Sequence, residues 1–167
     1  MTSDIRGALK ALAPVYESSN GVDGFVSVEV DPALARDTDR TTTEARSLHE
    51  LINAPNLMVK IPGTSEGLPS IRTMIGEGRS INVTLIFSVN RYIEVMESYI
   101  AGLEDAVASG KHDLSDIASV ASFFISRTDT EVDRRLEVIG TPQALGLRGK
   151  TAVAQAQVAY QHFVATF

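Results

Sequence analysis

Glu29, Lys60, Thr84 and Ser122 stand at the same phase of four short apolar runs, FVSVEVDP, NLMVKIPGT, INVTLIFS and IASVASFFISR. A lysine inside a run such as Leu57-Met58-Val59-Lys60-Ile61 is costly to bury, because desolvation disfavours the ammonium form. The same cost turns lysine into an amine nucleophile. Around it the runs supply a carboxylate (Glu29), an amide (Asn82) and two hydroxyls (Thr84 and Ser122), groups able to hold water, relay a proton or orient a polar substrate. Arg127, just past the fourth run, reads either as a salt-bridging residue or as a bidentate fork for a phosphate.

Each residue alone has an ordinary explanation. Lys60 and Glu29 suit solvent-facing or edge-strand positions, Thr and Ser are common in strands, and an Asn can satisfy nearby backbone. Their joint occurrence on one phase of four successive runs is what points to a site. Other motifs carry less: Lys60-Ile61-Pro62-Gly63-Thr64 lacks the order of a phosphate-binding P-loop, and Gly76-Glu77-Gly78 reads as a helix stop. His49, His112 and His162 have no metal-site spacing, so no metal is expected.

The runs alternate with helical patterns. Ile5, Leu9, Leu12 and Tyr16 recur at helical spacing from Ser3 to Glu17, and a strand is expected from Phe25 to Val30. Asp31-Pro32 then opens a long helix to about Asn53. Strands follow at Leu57 to Ile61, Ile81 to Phe87 and Ile117 to Ile125. The helices between and after them are capped by Ser65 and Ser88, with another near Asp129 to Ile139 and a helix-rich tail from Gln143 to Phe167. Four βα units without a hairpin signal imply an α/β chain with a parallel sheet.

Alternate side chains of a strand share a face. One set holds Ser27, Glu29, Met58, Lys60, Asn82, Thr84, Ser122 and Phe124. The other is apolar throughout: Val26, Val28 and Val30; Leu57, Val59 and Ile61; Ile81, Val83, Leu85 and Phe87; Ala121, Phe123 and Ile125. A doubly wound sheet would bury the polar set under helices, whereas a (β/α)8 barrel aims it at a central pocket. The pattern therefore favours barrel units.

Composition narrows the class. With 167 residues and 44% hydrophobic composition the chain fits one globular domain. A net charge of −6 and the lack of a long basic run argue against nucleic acid as a partner. The chain has no cysteine, which excludes disulfides and thiol catalysis and agrees with a reducing cytoplasm. Charged residues scattered through the first twenty positions match neither a signal peptide nor a membrane span.

Taken together, GFVSVEVDP, ARDTDRTTTEA, PNLMVKIPGT, GLPSI, INVTLIFSVNRY, SDIASVASFFISRTDTEVD and LGLRGKTAVAQAQVAYQ resemble the transaldolases, in particular their longer bacterial form. The resemblance covers nearly the whole chain. It implies that Lys60 forms a Schiff base with the ketose of fructose 6-phosphate or sedoheptulose 7-phosphate. Glu29 and Thr84 would then serve a catalytic water, Asn82 and Ser122 would orient the dihydroxyacetone moiety, Phe124 would line the pocket, and Arg127 would bind the sugar phosphate. It implies no cofactor.

A complete member has eight strands, and this chain supplies the third to the sixth. The expectation is a single domain over residues 1–167, a partial TIM barrel incomplete at both ends. The strand carrying the family's general acid/base aspartate is absent, and Asp23, Asp31 and Asp37 do not match it. The alternatives are a related class I aldolase, or an inactive remnant that binds sugar phosphate or a paralogue. Two open sheet edges also imply a homodimer pairing the third strand with the sixth.

Overall fold

The computed structural model describes residues 2–167. Helix α1 (Thr2–Ser18) precedes β1 (Val26–Glu29). A 3-10 turn (Pro32–Leu34) leads to α2 (Thr38–Ile52), followed by β2 (Leu57–Pro62), α3 (Gly67–Gly76), β3 (Ile81–Ile86) and α4 (Val89–Ala108). Then come β4 (Ser119–Phe123), α5 (Ser126–Ile139), α6 (Pro142–Leu145) and α7 (Thr151–Thr166). The sheet order is β1-β2-β3-β4 and every pairing is parallel. Strand order follows chain order without the reversal of a doubly wound sheet. This is part of a (β/α)8 barrel, and among the described residues it does not close.

The apolar set faces the helices as its spacing requires. Val30, Val59, Ile61 and Ile81 are fully buried, together with Ile71, Met74 and Ile75 of α3, and Val95 and Met96 of α4 line the same core. Each such side chain contributes about 1.5–3 kcal/mol relative to exposure. Two glycines permit the close approaches. A Cβ on Gly67 would lie 1.9 Å from the Pro62 carbonyl oxygen at the turn into α3, and one on Gly102 would lie 2.7 Å from the Ile75 Cβ where α4 crosses α3.

Several expected boundaries differ. Asp31-Pro32 opens only the 3-10 turn, with the Asp31 carboxylate accepting from the Ala33 N–H. The helix restarts at Thr38 because the Asp37 carboxylate accepts from the Arg40 N–H as a second N-cap. Ser88 caps α4 as expected, accepting from the Arg91 N–H. Ser65 does not cap α3: the Thr64 hydroxyl accepts from the Gly67 N–H instead.

The fourth strand is shorter than Ile117 to Ile125. Ile125 has helical φ −109° and ψ −40°, so α5 starts at Ser126 and Arg127 lies in its first turn. In β3 the alternation breaks at Leu85, whose φ is +58° and where the ladder shifts between Val83 and Ile86. That bulge sends Ile86 into the core in place of Leu85 and Phe87, and leaves Phe87 41% exposed.

At the amino-terminal ends of the strands, α1 is tied down by the buried Asn56, whose Nδ2 donates to the Leu9 and Gly24 carbonyls at 3.1 and 3.0 Å. Nearby, His49 Nε2 lies 3.1 Å from the Ser80 carbonyl oxygen. Burial first, and the Arg79 guanidinium second, push the imidazole from 6.5 down to about 4. Between those values the unfolded chain binds the proton and the folded chain does not. The contribution is therefore complete above about pH 6.5 and is lost as pH falls through about 4. With allowance for partial solvent access it amounts to about 1–2 kcal/mol. Urea unfolding across that window should show stability rising with pH in the wild type. The rise should flatten by this amount in His49→Gln, whose amide can still donate to Ser80; an unchanged slope would contradict the assignment.

Candidate active site

The polar side chains meet on the face of the sheet opposite α2, α3 and α4. Glu29, the last residue of β1, is the ladder partner of Lys60 on β2, and Lys60 is the ladder partner of Asn82 on β3. Lys60 Nζ donates to Glu29 Oε2 at 3.3 Å. The side chains are 27% and 38% exposed, so the pair is solvent-screened and worth under about 1 kcal/mol. Lys60 is therefore less enclosed than its position within an apolar run suggests. The two strand faces beside it are dry, but the space in front of its amine is open.

A second set of contacts crosses the sheet. Asn82 Nδ2 donates to Ser27 Oγ at 3.0 Å, and Ser122 Oγ donates to Asn82 Oδ1 at 2.8 Å. Strands β1 and β3 are not neighbours. In a flat sheet they would be about 9.6 Å apart, so a direct side-chain bond over β2 requires the face to be concave, as the wall of a barrel is. The sheet's curvature thus brings one amide between two hydroxyls beside the lysine.

Thr84 is buried, and its Oγ1 has no hydrogen-bond partner among the described residues. It precedes Leu85 at the bulge, and it is not bonded to Glu29 or Lys60. Beyond β4, Phe124 stacks on Phe87 with centroids 5.2 Å apart, and the Arg127 guanidinium lies 4.9 Å from the Phe124 ring centroid. The aromatic pair and the first turn of α5 hold this cation at the carboxyl-terminal end of the sheet, where parallel α/β sheets place ligands.

Two neighbours of the site escape a reading of residue types. Ser27 lies on the polar phase, but only curvature shows that it meets Asn82. Phe87 falls on the apolar phase by simple alternation, and only the bulge carries it to Phe124. Among the described residues no group of His, Asp and Glu side chains is placed to hold a metal ion.

A concave parallel sheet with a lysine, a carboxylate and an amide on its inner face defines a class of barrel-derived chains suited to carbonyl chemistry. The sequence profile of the family described as Transaldolase/Fructose-6-phosphate aldolase matches residues 1–166, and the chain belongs to that family. It is 59% identical over 164 residues to a transaldolase of Thermobifida fusca, a match covering 98% of this chain and 44% of the relative. It is 55% identical over 166 residues to transaldolase 1 of Streptomyces coelicolor, covering 99% and 43% respectively. It is 56% identical over 166 residues to a transaldolase of Mycolicibacterium smegmatis, covering 99% and 44%. The chain thus spans less than half the length of these relatives. Among the described residues no helix is long and apolar enough to cross a membrane.

The two sets of contacts differ in their structural weight. Asn82→Ala removes both hydrogen bonds from a half-buried network and should destabilise the chain by about 1–3 kcal/mol. Lys60→Met breaks only an exposed pair and should change stability by less than about 1 kcal/mol. Urea midpoints measured at unchanged m-value separate the two; equal losses would show that Lys60 is a structural residue.

Proposed function

We propose that the chain carries transaldolase-type chemistry of the pentose phosphate pathway, with Lys60 as the Schiff-base nucleophile. The carrying observation is the placement of Lys60 on the concave face, 3.3 Å from the Glu29 carboxylate and in ladder register with Asn82.

The neutral amine adds to the carbonyl carbon of fructose 6-phosphate or sedoheptulose 7-phosphate. The resulting carbinolamine loses water to give an iminium. A base removes the proton of the C4 hydroxyl, the C3–C4 bond breaks, and its electron pair enters the iminium to form an enamine while an aldose phosphate leaves. The enamine then attacks the aldehyde carbon of an acceptor aldose phosphate, whose oxygen takes up a proton. Hydrolysis of the new iminium returns the amine.

Glu29 holds and activates the water that is lost and regained, with Thr84 extending the proton relay from its buried hydroxyl. Asn82 and Ser122 orient the dihydroxyacetone hydroxyls. Phe124 lines the pocket, and Arg127 forks the substrate phosphate. The setting in this reading is the cytoplasm, where these sugar phosphates are found, and the macromolecular partner is a second copy of the chain.

A second reading follows from the open space in front of Lys60. The chain binds sugar phosphate through Arg127 and Lys60 without completing turnover, since it lacks an opposite wall and the general acid/base for the C4 hydroxyl.

Intact mass after incubation with fructose 6-phosphate and borohydride tests the nucleophile. A reduced adduct is expected on wild type and not on Lys60→Ala. Absence of the adduct on wild type overturns the Schiff-base reading, and a rise in melting temperature with fructose 6-phosphate would then support the binding reading. Where the adduct forms, dependence of product on an added aldose phosphate distinguishes transfer from simple aldol cleavage.

A further inference from the structure

We infer that the two open edges of the sheet, β1 and β4, are complementary to each other, and that two copies of the chain close into one two-fold barrel of four strands from each. The pairing stands on the geometry of the sheet. Only its bearing on the chemistry rests on the Schiff-base reading of Lys60.

The first argument is the slip of the strands. Glu29, Lys60, Asn82 and Val120 are successive ladder partners across the sheet. The side chains that touch at one level are different ones, because Asn82 bonds to Ser27, two residues before Glu29, and to Ser122, two residues after Val120. From β1 to β4 one level of the concave face therefore slips by four residues along the ladder. An eight-stranded parallel barrel closes with a shear of eight. Four strands that carry a slip of four are half of such a barrel, and a two-fold axis along the barrel supplies the other half.

That slip fixes the seam. It sets Ser122 opposite the partner's Ser27, Ala121 opposite the partner's Val26, and Phe123 opposite the partner's Val28. The backbone agrees. The Val26 and Val30 N–H groups donate to Asn56 and Lys60 carbonyls, so Ser27 and Glu29 turn their own N–H and C=O toward the open edge. On β4 the Ala118 carbonyl accepts from Ile81 and the Phe124 N–H donates to Ile86, so Ala121 and Phe123 turn theirs outward. In the inferred register these open donors and acceptors meet one another.

The faces agree as well. Ser122 and the partner's Ser27 lie on the concave side, and Ala121 and the partner's Val26 lie on the apolar side. A slip of one residue would drive serine into the core. Apolar surface left open beside β4 supports burial there: Val120 is 46% exposed and Ile125 38%. A second copy covers Val120 with the partner's Phe25 and gives Lys60 the facing wall it lacks.

The test exploits the absence of native cysteine. Wild type should sediment at twice the mass of the chain at micromolar concentration. Under mild oxidation, the double variant Ala121→Cys with Val26→Cys should form a covalent dimer. The displaced pair Phe123→Cys with Val26→Cys should link roughly tenfold more slowly or not at all, because its Cα atoms are too far apart for a disulfide. A monomer, an open-ended series of oligomers, or equal linking of the displaced pair would each overturn the inference. The wild-type mass decides even where a cysteine variant fails to fold. A borohydride adduct on a monomer would reject the pairing while leaving the chemistry of Lys60 intact.

Discussion

Packing of the apolar face of the sheet against α2, α3 and α4 determines what the other face can present. Val28, Val59, Ile61, Val83 and Ile86 are sealed against Ala45, Ile71, Met74, Ile75, Tyr92, Val95 and Met96. Because a strand offers alternate side chains to opposite faces, that burial leaves Ser27, Glu29, Lys60, Asn82 and Ser122 no choice of side. A slip of one residue in any strand would exchange a buried valine for a charged or polar group, at a cost far above the strength of the Glu29–Lys60 pair. The site is thus held by residues that never touch it.

Curvature adds what alternation cannot. Parallel strands with sequential order coil as they twist, and here the coiling brings Ser27 within 3.0 Å of Asn82 across an intervening strand. The amide is then held from both ends, by Ser27 on β1 and Ser122 on β4. The bulge at Leu85 acts in the same direction. A non-glycine residue at positive φ costs about 1–3 kcal/mol, and the structure holds it where the change of phase moves Ile86 into the core and Phe87 to Phe124.

The order of elements, the parallel sheet and the phase of the polar residues were legible in the sequence because each rests on a local repeat, the period of two in the strands or 3.6 in the helices. Boundaries set by competing local bonds were less legible. Asp31 and Asp37 are both good caps, and a sequence pattern does not show that the chain uses both and breaks one expected helix into a turn and a helix. The bulge was not legible at all, since Leu85 is an ordinary strand residue and its φ is imposed by the ladder with β4. The Ser27–Asn82 contact lay hidden for a related reason: it depends on sheet curvature, a property of three strands together.

Lysine chemistry and sheet closure are linked by solvent. A lysine becomes nucleophilic when its ammonium form is desolvated, and strands alone cannot desolvate a side chain that points away from them. In this chain Lys60 keeps 27% of its side chain exposed and leans on a carboxylate that is itself 38% exposed. Whatever covers the concave face removes water from the Lys60 amine, the Glu29 carboxylate and the Asn82 amide at once, and strengthens every electrostatic contact among them. The same covering pairs the open backbone groups of β1 and β4. For a half-barrel, completing the hydrogen bonds of the sheet and activating the amine at its centre are therefore one event, and the residues that specify the seam belong to the catalytic problem as much as those that face the substrate.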